Sequence, residues 1–143
     1  MAIEQLFRFI HSWNRWLVMA VAVISLIYFA RGWLQSLPWT KRGQTLLTIF
    51  SSLVGLQWLV GIILLVTLGS ATGFGVRHYW EHLVVQTIAL AVAHIHMGWR
   101  KKEFPDKTRY QRGFLLIVAV LVLIVVGIMV LPAGIQWRLM GIS

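Results

Sequence analysis

The sequence predicts an all-α membrane protein: a four-transmembrane-helix antiparallel bundle with both termini outside. Three observations predict it. Hydrophobic residues make up 59% of the 143 residues and charged ones only 12%, where a soluble domain carries about 25%. The apolar residues collect in four blocks, residues 13–34, 45–68, 79–99 and 113–131. As helices rising about 1.5 Å per residue, all four blocks are long enough to cross roughly 30 Å of hydrocarbon. The connections are short, so successive helices become antiparallel neighbours. The whole chain, 1–143, then forms one bundle without a soluble domain.

The first block, 13–34, does not read as a cleaved leader. It lacks a basic stretch followed by a short apolar core, and no small-x-small site ends it. The second block, 45–68, is followed by Gly69-Ser70-Ala71-Thr72-Gly73-Phe74-Gly75. No Lys follows these glycines, so they read as an interhelical turn and not as a phosphate cradle. The third block, 79–99, carries most of the ionisable residues. The fourth, 113–131, has almost nothing polar, and Gly127 is its only unusual residue. It reads as a packing surface for neighbouring subunits. Trp13, Trp16, Trp33, Trp39, Trp80, Trp99 and Trp137 fall near block ends, as an interfacial aromatic belt does. Trp58 alone lies inside a span.

Charge gives the orientation. The N-terminus, second connection and C-terminus carry Arg8, Arg15, Arg77 and Arg138. The first and third connections carry Arg31, Lys41, Arg42, Arg100, Lys101, Lys102, Lys107, Arg109 and Arg112. The positive-inside rule puts the more basic pair of connections in the cytoplasm. The expected location is the bacterial inner membrane, with Arg100, Lys101 and Lys102 against anionic headgroups. The net charge of +9 is then a matter of orientation and lipid, and no nucleic-acid partner is expected. The chain has no Cys, which excludes disulfides, thiolate metal sites and covalent haem attachment.

Ionisable residues inside a span are costly and mark function by default. At about 100° per residue, His78, His82, Ala89, Ala93 and His96 share one face of the third helix, with Gln86 beside it. On the first helix His11, Arg15, Ala22, Ser25 and Phe29 share a face, with Asn14 at its edge. Ser51 and Gly55 give the second helix a small-x-x-x-small pair, and Gln57 lies near mid-membrane. In an up-down bundle His11, Arg15, His78, Glu81 and His82 meet near the outer surface. A b-type haem needs two facing axial ligands, and His11 with His82 are the candidates. A quinone site needs a polar cluster open to lipid, and Arg15 and Glu81 beside His82 are the candidates. His96 lies about 21 Å from His82 along the axis and faces no other His. His94 and His96 diverge by about 160°, so no metal site is expected from them. No complete catalytic set is present.

The residues also carry a resemblance. His11-Ser12-Trp13-Asn14-Arg15-Trp16-Leu17, Gln57, Glu81-His82, the basic end of the third helix and Gly127 resemble a family of small four-helix bacterial membrane proteins labelled cytochrome b-like. The family pattern falls here on His11, Arg15, Trp16, Glu81 and His82. Many members also carry a His just before the second-helix Gln, where this chain reads Val54-Gly55-Leu56-Gln57. The resemblance implies an electron-transport setting. The leading expectation is a non-catalytic subunit of a respiratory or photosynthetic complex, without a cofactor of its own. The alternative is an electron carrier holding one b haem or a quinone through His11, His82, Arg15 and Glu81.

Overall fold

A computed structural model describes residues 2–137. Arg138, counted in the charge bias, lies outside the described residues. The order is α1 (Ile3–Leu34), α2 (Lys41–Thr72), α3 (Arg77–Ala93), a 3₁₀ turn (Ile95–Trp99), α4 (Asp106–Met129) and a short 3₁₀ turn (Ala133–Ile135). The four helices form an antiparallel bundle. α1 and α3 each pack against α2 and α4, so α1 and α3 face each other across the diagonal. Of the four adjacent pairs, α2 and α3 pack least closely. One end of the bundle holds the start of α1, the end of α4 and the α2–α3 connection. The other, the basic end, holds the two cation-rich connections.

Three helices, α1, α2 and α4, are long and apolar enough to cross a membrane. The sequence predicts four spans, and α3 is the difference: 17 residues instead of a continuous segment over 79–99. The cause is local. The His94 Nδ1–H donates to the Leu90 carbonyl at 2.9 Å. The His94 backbone N–H bonds instead to the Ala91 carbonyl, one residue nearer, at 3.3 Å. That i→i−3 bond is the 3₁₀ pattern, and the chain continues in it to Trp99. α2 departs the other way, running on through the expected turn to Thr72. Gly73 ends it with φ of 73°, and the Phe74 N–H returns to the Gly69 carbonyl at 3.0 Å.

The expected inner faces are partly met. Ala89 and Ala93 on α3 and Ala22, Ser25 and Phe29 on α1 are buried. So are Ser51 and Val54 on α2 and Ile117, Val120 and Ile124 on α4. Small residues let these helices approach closely.

The interior of the basic end is closed by aromatic packing. Tyr110 of α4 lies on Gly32 of α1, where an added Cβ would collide with its ring. Tyr28, Phe29 and Trp39 surround it, with Phe29 and Trp39 stacked at 6.1 Å. The Tyr110 hydroxyl donates to the Pro38 carbonyl at 2.8 Å. Beside this cluster, His96 is 1% exposed. Gln44 Nε2 donates to its Nδ1 at 3.1 Å, and its Nε2–H donates to Ser51 Oγ at 3.0 Å. Ser51 in turn donates to the Thr48 carbonyl at 3.2 Å. Both ring nitrogens are thus used, as a buried polar group requires.

Candidate functional site

The other half of the bundle is open. A cavity of ~210 Å³ lies between the helices there. Its polar wall includes His11 and Arg15 from α1, Gln57 from α2, and Tyr79, His82 and Gln86 from α3, with Arg8 and Ser12 beside them. Most of the rest is leucine, isoleucine and valine.

His11 is held by its backbone. Asn14, buried on α1, donates through Nδ2 to Gln57 Oε1 at 2.9 Å and to the Leu53 carbonyl at 3.0 Å. Gln57 Nε2 donates back to the His11 carbonyl at 2.9 Å. This reciprocal link sets the α1–α2 register and leaves the His11 ring to the cavity. The ring edge faces Gly61, whose missing side chain gives it room. His11 Nδ1 is buried with no hydrogen-bond partner among the described residues. An unsatisfied buried nitrogen costs about 1–3 kcal/mol, so it calls for an explanation.

His82 is held by its side chain. Its Nδ1 lies 2.6 Å from the Gly127 carbonyl oxygen. A carbonyl only accepts, so Nδ1 carries the proton and Nε2 keeps its lone pair. Gly127 lies in the last turn of α4, and its carbonyl is one of those a helix end leaves without a partner. His82 therefore caps α4 while presenting Nε2 elsewhere. An Nδ1–H on a backbone carbonyl is how proteins fix a ligating imidazole. Gly127 also leaves room for the Gln86 side-chain amide, which an added Cβ would displace. That amide donates to the Ile124 carbonyl at 3.3 Å. The one special residue of the fourth block thus serves α3.

The two rings meet across the diagonal, with centres 6.5 Å apart and planes at 75°. Two imidazoles ligating one metal, each through a bond of about 2 Å, have ring centres roughly 6 Å apart. A shared metal leaves the angle between the planes free. The separation alone matches two imidazoles on one iron, while a porphyrin between the rings needs α1 and α3 to part beyond the ~210 Å³ now enclosed. The enclosed volume is small beside the roughly 300–1,000 Å³ of ordinary ligand pockets. It accommodates a single-ring headgroup readily.

Arg15 lies in the same wall, and its Nη1 donates to the Gln136 carbonyl at 2.8 Å. Gln136 Nε2 donates to the Met129 and Leu131 carbonyls, so Arg15 ties the chain after α4 over the mouth of the cavity. Trp16 packs on Trp137 at 6.0 Å in the same place. Glu81 does not join the cluster expected of it. It lies outside the cavity wall, paired with Arg77 at 2.5 Å. The four-residue spacing to Arg77 is a readable signal for that pair. His78 packs on Tyr79. Tyr79, Gly61 and the Asn14–Gln57 link are the parts the sequence did not single out for this site.

No family model, curated protein or solved structure matches this chain. The cytochrome b-like resemblance rests on its motif residues, and function must be argued from the cavity.

Proposed function

We propose that this chain is a multi-pass protein of the bacterial inner membrane that carries electrons through one b-type haem held between His11 and His82. The observation that carries the reading is the pair of rings 6.5 Å apart on diagonal helices. The free Nε2 of His82 and the buried, unpartnered nitrogen of His11 support it. Bound haem would supply one-electron chemistry at iron. The chain's own residues orient the two rings, Arg15 puts a positive charge beside them, and leucines line the apolar side. The charge bias favours the cavity end outside, and strong activity of a cytoplasm-only reporter fused to the C-terminus would reverse that orientation.

A role as a non-catalytic subunit needs a surface set aside for neighbours, and α4 was expected to give one. α4 is the most buried of the three long helices, and Leu115, Val122, Val126 and Met129 still leave it an exposed apolar face for such a neighbour. A second ligand is favoured by one observation, the ~210 Å³ volume. A quinone ring suits it, with His82, His11 and Gln57 facing its oxygens.

Reduced-minus-oxidised spectra of the purified protein test the reading. Sharp b-type bands are expected, lost in His11→Ala and in His82→Ala and kept in His96→Ala. A protein without the bands that co-purifies with quinone would move the assignment to the second ligand. A protein with neither would overturn both.

A further inference from the structure

We propose that the basic end holds a built site for the phosphate group of an anionic phospholipid. The site is a pocket of ~530 Å³ into which Lys41, Arg100, Arg109 and Arg112 face. Three separate segments supply these cations: the start of α2, the end of the 3₁₀ turn, and α4.

Neutral partners hold the guanidinium groups. Arg100 Nη2 donates to Thr48 Oγ1 at 2.8 Å. Arg109 donates through Nε to the Phe104 carbonyl at 3.2 Å and through Nη2 to the Lys102 carbonyl at 3.4 Å. Arg112 lies 4.1 Å over the Phe104 ring and 5.3 Å from the centre of the Trp99 ring. These contacts set direction without cancelling charge. No Asp or Glu lines the pocket. Both ion pairs among the described residues, Arg8 with Glu4 and Arg77 with Glu81, lie at the opposite end. Glu103 and Asp106 are close in sequence, yet neither pairs with these cations among the described residues.

Four like charges converging on one pocket repel one another unless an anion joins them. Fixed guanidinium forks match phosphate oxygens well. The anion's source follows from depth. Trp39 and Trp99 stand in the same wall, and tryptophans of this kind settle at the level of lipid headgroups. Basic pockets between helices on the cytoplasmic side are suited to anionic headgroups. The site also differs from the exposed run at 100–102, because Lys101 and Lys102 do not line it. Of that run only Arg100 turns inward.

The test uses the full-length protein in nanodiscs of phosphatidylcholine, with or without phosphatidylglycerol. Phosphatidylglycerol should raise the thermal midpoint and remain bound in native mass spectrometry. Arg112→Gln or Arg109→Gln should weaken that binding roughly fivefold each. The double variant Lys101→Gln/Lys102→Gln should leave it unchanged. If Arg112→Gln does not fold in phosphatidylcholine alone, Lys41→Gln, an exposed position, makes the same test. Equal midpoints in the two lipid mixtures would overturn the proposal. So would equal losses in the 101/102 variant, which mean diffuse attraction. So too would full reproduction of the shift by inorganic phosphate in phosphatidylcholine, which would assign the pocket to a soluble anion.

Discussion

Two histidine environments share one bundle. At the basic end His96 has both ring nitrogens bonded and is 1% exposed. At the other end His11 and His82 face a cavity. Among the described residues, one has a buried nitrogen without a partner, and the other bonds through the nitrogen that caps α4. By sequence His82 and His96 lie inside an expected span and His11 just before one. What separates them is hydrogen-bond satisfaction. His96 has both nitrogens matched, whereas the facing pair keeps one nitrogen unmatched among the described residues.

The strongest test of the closed end is Tyr110→Ala. Tyr110 is 2% exposed and seated on Gly32. Its loss leaves a hole among Phe29, Trp39 and Tyr28, and should cost about 3–5 kcal/mol in detergent unfolding. A cost under about 1 kcal/mol would mean that this end is not the rigid one.

His96→Leu comes next. It takes the partner from the Gln44 amide and from the buried Ser51 hydroxyl and should cost about 1–3 kcal/mol, while leaving any b-type spectral band unchanged. A lost band would dissolve the distinction between the two ends.

Asn14→Leu is expected to be milder, at roughly 0.6–1.7 kcal/mol, because hydrogen bonds between membrane helices are worth that much. It should also loosen the ligand, since the Gln57 amide that holds the His11 carbonyl loses its partner. Equilibrium titration of cofactor into the stripped protein reads this out.

His11→Leu is the smallest effect on stability and the sharpest contrast. It removes a buried nitrogen that has no partner, so the ligand-free protein should be unchanged within about 0.5 kcal/mol or more stable. Ligand binding should nonetheless be lost. A destabilisation as large as that of His96→Leu would show that His11 is structural.

The apolar helices, four in number and three of them long enough to cross a membrane, and the inner faces of Ala89, Ala93, Ala22 and Phe29 were legible in the sequence. Hydropathy and helical spacing are properties of one segment at a time. The candidate ligands His11 and His82 were legible too, because ionisable residues stand out in an apolar helix. The length of α3 was not, since capture of the Leu90 carbonyl by a histidine ring is a choice among competing bonds. Nor was the role of Asn14, which reads as the edge of a face and lies at the centre of the α1–α2 link.

By itself, then, the sequence determined which segments are apolar helices, which of their faces are small and polar, and which end is basic. Tertiary structure decided which polar atoms find partners. A histidine nitrogen is satisfied or left open by atoms on other helices, and their placement depends on register and crossing. Gln44 and Ser51 close around His96. Glu81 goes to Arg77, and the Gly127 carbonyl takes one nitrogen of His82 and leaves the other for the cavity.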